Sequence, residues 1–196
     1  IDDMFVSLGL GGNINWLTYD TYTADLYNQS DYELFGLDNS FTYGVQYKYQ
    51  DRDSWAYDRF NAKKADYNYG YLQPYNIPSG NQSIYSGWGE YSVDFGHGIE
   101  LTPGLRYDYI VSQGVPNAGS RYNNPAVGHD YGQETYSGFS PSVNVFYKMN
   151  PNYTLFGDWA YKLRAPLVDE IYTVGSSRAT SNQLNVERVN SKRIGL

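Results

Sequence analysis

Ile99-Glu-Leu-Thr-Pro-Gly-Leu-Arg-Tyr-Asp-Tyr-Ile110 alternates between two kinds of residue. Ile99, Leu101, Pro103, Leu105, Tyr107 and Tyr109 form one series; Glu100, Thr102, Gly104, Arg106 and Asp108 form the other. A period of two sustained over this length predicts a β-strand with one apolar and one polar face. The polar series carries Glu, Arg and Asp, so that face meets water. Downstream the pattern repeats. Phe139, Pro141, Val143, Val145 and Tyr147 alternate with Ser140, Ser142, Asn144, Phe146 and Lys148. Then Tyr153, Leu155, Gly157, Trp159, Tyr161 and Leu163 alternate with Thr154, Phe156, Asp158, Ala160 and Lys162. Upstream, Tyr85, Tyr91, Val93 and Phe95 stand against Trp88, Glu90, Ser92 and Asp94. Each run is about as long as the ~9–11 residues that a tilted strand needs to cross a bilayer. Tyr and Trp gather toward the run ends, where the aromatic girdles of membrane barrels lie.

The composition agrees. Charged residues are 18% of the chain and mean hydropathy is -0.61, an unusual pairing, since soluble domains carry about 25% charge. Aromatic residues reach 18%, with Tyr 23 and Gly 20, which argues against disorder. The chain is polar through Tyr, Asn, Ser, Gly and Thr, as suits a sheet with an aromatic face and a hydrated face. No run approaches the ~18 apolar residues of a membrane helix; barrel strands leave no such signal. Cysteine is absent, so disulfides, thiolate metal sites and thiol nucleophiles are excluded. A net charge of -7 argues against nucleic acid as a partner.

Connector lengths alternate. Phe35 to Asn39, Gly96-His97-Gly98 and Met149 to Asn152 are short; Arg52 to Ser83 and Val111 to Thr135 are long and polar. Tight periplasmic turns and extended outer loops are the pattern of outer-membrane barrels. It orients Asp20–Asp31, Ile84–Phe95 and Tyr136–Lys148 inward, and Ser40–Asp51, Ile99–Ile110 and Tyr153–Arg164 outward. Met4 to Tyr19 reads as one more strand with its loop, and Val186 to Leu196 as the start of a further inward strand. The chain starts mid-pattern at Ile1 and stops at Leu196 inside a strand-like run, so an internal segment of a longer protein is expected. A soluble antiparallel sandwich also alternates apolar and polar positions, but with shorter loops and a more charged outer face. The expected fold is therefore all-β: residues 1–196 as part of one antiparallel transmembrane β-barrel domain in the bacterial outer membrane.

The run Tyr153 to Tyr172 contains Leu163-Arg164-Ala165-Pro166 followed by Asp169, Glu170 and Tyr172. It resembles the Arg-Ala-Pro region of TonB-dependent receptors, where a strand ends and an acidic, aromatic loop element begins. Leu163 stands where that family usually has Phe. The family's next landmark survives as Leu184 and Glu187, with Asn182 and Val186 in place of prolines. Leu101 to Asp108 and Gly138 to Val143 look like neighbouring strands of the same family. Thr21–Ser30 and Ser40–Asp51 resemble paired strands of its haem and haemoprotein branch. The resemblance implies a barrel of about twenty-two strands with a plugged lumen, the plug and the TonB box lying outside this sequence. It implies uptake of an iron-bearing ligand, haem or haem carried by a protein, with a ferric siderophore as the alternative. It also implies partners: the TonB complex through the N-terminal region, lipid and lipopolysaccharide, and a haemophore or host haemoprotein at the loops. A passive porin is the alternative of another class. No intrinsic cofactor is expected.

Candidate ligand-binding residues lie in the outer loops. His129 is one, since His and Tyr hold haem iron; a loop histidine facing water is the plainer reading. His97, between glycines in a tight turn, reads as a solvated turn residue. The resembled receptors usually carry a His between the Arg-Ala-Pro step and the Leu–Glu landmark, and none lies between Arg164 and Glu187. The loop Arg52 to Ser83 holds Trp55, Tyr57, Tyr67, Tyr69, Tyr71 and Tyr75 with Arg59, Lys63 and Lys64. Clustered Tyr and Arg suit recognition, and equally a loop packed on itself. Tyr67, Tyr69, Tyr71, Tyr172 and Arg178 join His129 as candidates. Arg164 points inward by alternation, with Asp169 and Glu170 as expected partners. Asp169 and Glu170 are adjacent, so a strand would send them to opposite faces. No enzyme motif is present: there is no phosphate-cradling glycine loop and no His-x-x-x-His.

Overall fold

The structure, a computed structural model, describes residues 13–58, 72–73, 79–115, 126, 128–173 and 180–196; the side chains of 13–16, 54–58 and 72–73 fall outside that description. Among the described residues the strands are β1 (Asn13–Leu34), β2 (Leu37–Asp58), β3 (Leu72–Gln73), β4 (Ser79–Asp94), β5 (Ile99–Val115), β6 (Gln133–Asn150), β7 (Tyr153–Arg164) and β8 (Glu187–Gly195), and a short helix, α1, spans Val168–Tyr172. They form a single antiparallel sheet in the order β1-β2-β4-β5-β6-β7-β8, with β3 pairing β2. Apart from the two-residue β3, it is an up-and-down meander in which successive long strands are neighbours in space.

The strands are longer than the sequence pattern indicates. β1 and β2 each run 22 residues, about 70 Å at ~3.3 Å per residue, far more than a bilayer requires. Asn13 to Tyr19 is not a separate strand with a loop; it continues β1, in register with Asp58 to Arg52 of β2. Met4 to Gly12 lie outside the described residues. The long connectors are shorter than expected, because Arg52–Asp58, Ser79–Ser83, Val111–Val115 and Gln133–Thr135 are strand. Pairing beyond the membrane is what extends them: ladder hydrogen bonds satisfy the backbone of polar sequence that period-two reading assigns to loop.

The tight turns appear where the sequence places them. Phe35 (φ 55) and Gly36 (φ 73) both adopt the left-handed conformation, the requirement of a two-residue hairpin that follows the sheet twist. His97 (φ 56) stands between Gly96 and Gly98 and is exposed.

The two faces of the sheet are inverted relative to a soluble protein. The apolar series is exposed: Leu26 is 74% accessible, Phe139 56% and Leu105 50%. On the polar face Ser86, Gln82 and Asp108 are under a tenth exposed and Ser112 is fully buried, while Glu90, Glu100 and Lys148 toward the turns are exposed. Leu101 and Val143 are half-buried and Leu155 is exposed, so none of them sits in a dry core. On the inner face a polar chain crosses four strands. Gln46 Nε2 donates to Asp25 Oδ1 at 2.6 Å, Arg106 Nη2 to Gln46 Oε1 at 2.7 Å and Ser86 Oγ to Asp108 Oδ1 at 2.6 Å, with an Arg106 Nε–Asp108 bond of 2.8 Å.

The outer face carries the two expected rings of aromatics. Tyr22–Tyr49, Tyr47–Tyr85, Tyr85–Tyr109 and Tyr107–Phe139 make the upper ring, and Tyr32–Tyr91, Phe41–Tyr91 and Phe41–Tyr43 the lower. Tyr32 pairs with Asn39 and Tyr22 with Tyr49. Tyr22 and Tyr32 are thus ten residues apart on β1, roughly 33 Å along the strand, whereas Tyr43 and Tyr47 on β2 are four apart, roughly 13 Å, so the two groups converge across the sheet.

Two prolines interrupt the ladders, as a missing N–H requires. Between β4 and β5 the register skips from Glu90↔Gly104 to Val93↔Leu101, at Pro103, and Thr102 and Ser92 hydroxyls bond there instead at 3.0 Å. Between β6 and β7 the ladder stops at Ser142↔Ala160, next to Pro141. Above it, Leu163 N donates to Ser140 Oγ at 3.0 Å and Arg188 Nη1 to Phe139 O at 2.7 Å. There β7 and β8 part from β6 and carry their connecting loop.

Candidate functional site: the loop helix at the mouth of the sheet

The segment after β7 folds back over the polar face. Arg164 ends the strand, Pro166 cannot extend it, and Val168–Tyr172 form one helical turn. Arg164 clamps that turn: its Nη1 and Nη2 donate to the two oxygens of Glu170 at 3.1 and 3.0 Å, and its Nε to Glu187 at 2.8 Å. Glu170 also accepts the Leu167 N–H at 2.8 Å. The guanidinium first, and that N–H second, hold the Glu170 carboxyl below its ordinary range. The expected Arg164–Glu170 pair forms. The expected pairing with Asp169 does not; Glu187 takes that place, because α1 is helical and turns Asp169 away.

The helix rests on two glycines. Gly80 and Gly114 are register partners on β4 and β5. A Cβ on Gly80 would meet Val168 Cγ1 at 2.6 Å, and one on Gly114 would meet the Tyr172 ring at 2.8–3.0 Å. Without side chains there, Val168, Ile171 and Tyr172 pack into a small apolar core with Ile110, Tyr136 and Ala165. The Tyr172 hydroxyl lies 2.6 Å from Gly132 O and 3.1 Å from Ser112 O, which share its proton. Burial pushes its pKa up. Gln82 Nε2 ties the wall to Pro166 O at 3.2 Å and to Ser112 Oγ at 2.9 Å.

The neighbouring loop joins this unit. Thr180 N donates to Gly128 O at 3.2 Å, Asp130 N to Thr180 Oγ1 at 3.0 Å, and Asn182 Nδ2 to Glu134 at 2.8 Å. Tyr131 stacks on Tyr172 at 6.2 Å, and burial raises its pKa.

The candidate residues are thus distributed unevenly. Tyr172 is fully buried and His129 is 5% exposed, so both belong to the packing between loops. Arg164 is two-fifths exposed and ion-paired. Tyr67, Tyr69, Tyr71 and Arg178 lie outside the described residues, as do Tyr75, Arg59, Lys63 and Lys64; Trp55 and Tyr57 lie in β2, their side chains undescribed.

Beside the helix is a recess of about 200 Å³ lined by Tyr19, Gln50, Arg52, Gln82, Leu167, Val168 and Asp169. Arg52 is 3% exposed. Its Nε donates to the Tyr19 hydroxyl at 3.1 Å, and its guanidinium carbon lies 5.7 Å from the centre of that ring. Sequence reasoning passed over Arg52, Gln82, Gly80 and Gly114. Arg52 and Gln82 do share the parity of the polar face, through their pairings with Gly80 and Ser112.

An alternating sheet with an apolar exterior, hydrated interior, short turns and an inward-folded loop defines an outer-membrane barrel wall. The chain matches the family described as "TonB dependent receptor-like, beta-barrel" over residues 2–196, and belongs to it. It is therefore part of an outer-membrane receptor barrel and not an enzyme. It is 35% identical over 192 residues to the TonB-dependent heme receptor A of Haemophilus influenzae strain Rd, a match covering 96% of this chain and 26% of that protein. With the receptor of the same name from Haemophilus ducreyi it shares 33% over 190 residues, 94% of this chain and 26% of that one. The chain thus spans about a quarter of the length of these curated relatives. Among solved structures, a double mutant of the Serratia marcescens hemophore receptor HasR, in complex with its hemophore HasA and heme, superposes with a TM-score of 0.63 at 21% identity, covering 92% of this chain and 30% of that one. The unliganded ferric citrate transporter FecA gives 0.69 at 10% identity, covering 93% and 25%. At those identities both likenesses concern the fold alone.

Proposed function

We propose that the receptor containing this chain takes up haem, free or delivered by a carrier protein, across the outer membrane. The observation that carries this reading is the 33–35% identity to heme receptors over nearly the whole chain. In this reading residues 1–196 form one stretch of the barrel wall, and a plug elsewhere in the receptor fills the lumen. The TonB complex moves that plug, the aromatic rings lie against lipid and lipopolysaccharide, and the outer loops receive the ligand. A haemophore as partner is supported by HasR, whose solved complex contains one. Iron ligation from the α1 loop is disfavoured, because no histidine lies between Arg164 and Glu187. His129, buried between loops, would have to be uncovered to reach iron. The test is titration of the purified full-length receptor with haem. A saturable Soret shift is expected. No shift, together with quenching of tryptophan fluorescence by a ferric siderophore, would overturn the haem reading in favour of the siderophore one.

A further inference from the structure

The outward face of β8 changes character along its length. Register pairs Arg188, Asn190, Lys192 and Ile194 with Leu163, Tyr161, Trp159 and Gly157 of β7, and Trp159 pairs with Val143 of the apolar series. These four residues therefore share the parity of the lipid side. The described sheet ends at β8; a further strand would pair in the sheet plane and leave this face outward. Ile194, nearest the tight turns, is 81% exposed. Toward the loops follow Lys192, Asn190 and Arg188. A cation on the lipid side is costly at the bilayer midplane and costs little at the interface. Lys192 lies opposite Trp159, a residue type that settles at that interface.

The two cations are held differently. Lys192 is exposed, a compact charge on a flexible stem. Arg188 is exposed as well but positioned. Its Nη1 donates to Phe139 O at 2.7 Å, and its guanidinium carbon lies 5.6 Å from the centre of the Tyr161 ring. That bond engages one of the five N–H groups of a guanidinium. Between the cations, Asn190 Oδ1 accepts the Trp159 Nε1–H at 3.0 Å. Arg188 and Lys192 are four residues apart on one face, roughly 13 Å, a span suited to a headgroup of two sugar rings with a phosphate at each end. The other wing of the sheet is acidic at its outer rim. Just beyond the Tyr22–Tyr49 pair, Asp20 faces Asp51, and Asp53 follows two residues on. Basic character thus belongs to β7 and β8, not to the rim as a whole.

We propose that Lys192 and Arg188, flanked by Trp159 and Tyr161, form a docking patch for the phosphates of an outer-leaflet glycolipid. The patch continues the apolar lipid-facing surface at the level where anionic headgroups begin, and its charge is complementary to theirs. The assignment rests on the placement of this face against lipid and lipopolysaccharide and is independent of haem.

The experiment is native mass spectrometry of the full-length receptor in detergent, titrated with bisphosphorylated lipid A and with the same glycolipid stripped of its phosphates. A basic residue beside an anionic surface contributes roughly fivefold. Wild type is therefore expected to prefer the phosphorylated form by about twenty-five-fold. Lys192→Gln and Arg188→Gln should each reduce that preference about fivefold, and the double variant should bind both forms equally. Binding of the stripped form as in wild type shows that the double variant is folded. Lys192→Arg should keep the preference, and Asp51→Asn on the acidic wing should leave it unchanged. Equal binding of the two forms by wild type, or a preference that survives in the double variant, overturns the patch. Displacement of lipid A by inorganic phosphate alone overturns it too, since that marks a site for free anions. If neither form stays bound to wild type, the placement of this face against glycolipid fails, and the patch with it.

Discussion

Gly114→Ala tests whether α1 is seated by its glycine floor. The added methyl would stand 2.8 Å from Tyr172 Cγ and 2.9–3.0 Å from both Cδ atoms. The ring is fully buried and its hydroxyl is fixed between Gly132 O and Ser112 O, so it cannot step aside without losing those bonds. Overpacking of this kind costs about 1–3 kcal/mol, which falls on the local opening of the loop unit rather than on the barrel. It corresponds to a rise of roughly 5- to 150-fold in the opening equilibrium. The assay is hydrogen exchange followed by mass spectrometry on the full-length receptor. The reporters are the amides of Ile171, Thr173 and Ser181, which donate to Leu167, Asp169 and Ile171. They should exchange faster by that factor, while the β4–β5 ladder amides stay unchanged. Tyr172→Ala alone should release the loop more, a truncation of about 3–5 kcal/mol. On that background Gly114→Ala should have no further effect, since the clash partner is gone. Additive effects of the two substitutions, or unchanged exchange in Gly114→Ala, would refute a loop seated on this floor.

Three other outcomes follow from the same structure. Arg164→Ala removes an ion-paired clamp whose groups are two-fifths or more exposed on average, so it should loosen the loop by only ~1 kcal/mol, read as proteolysis confined to the segment after β7. The Glu170 carboxyl is held below its ordinary range by Arg164 and the Leu167 N–H. Its contribution is therefore present above the unfolded value of about 4.3 and is lost as pH falls through the folded value; loop protection should decline below about pH 4, and Glu170→Gln should flatten that dependence. Leu105→Arg places a charge on the outer face between the two aromatic rings and should cost about 2–4 kcal/mol of barrel stability in lipid vesicles, whereas Thr102→Arg on the polar face should cost far less, both measured by denaturant titration.

The fold was legible because its controlling force acts locally. A strand between lipid and water must alternate, and Ile99 to Ile110 does so without reference to any other part of the chain. The turns were legible for the same reason: Gly36, Gly96 and Gly98 mark the places where the backbone must go left-handed. Strand length was not legible. Asn13–Tyr19 and Arg52–Asp58 become strand because each finds the other, fifteen ladder steps and more above the turn; Ile14 and Trp16 do alternate with Asn13 and Asn15, but Leu17 beside Trp16 breaks the pattern and the run is too short to set the strand's extent.

The loop site was legible only where chemistry is adjacent in sequence. Arg164 and Glu170 are six residues apart, and a basic strand end followed by an acidic segment suggests their pairing. The helical turn was missed because a five-residue helix is too short for a 3.6-residue period to emerge from an aromatic, acidic run. Its floor was missed for a deeper reason. Gly80 and Gly114 read as ordinary loop glycines until the register sets them opposite each other, 34 positions apart in the chain, with Tyr172 and Val168 above them. Arg52 likewise looked like the start of a polar loop; its burial depends on β1 bringing Tyr19 alongside and on α1 folding over it. Alternation assigns a residue to a face, but it does not say what will later cover that face. Near the mouth of the sheet the polar side is covered by a segment that returns from the loop, so which of its residues end up lining a recess is set by that return path rather than by the strand that carries them.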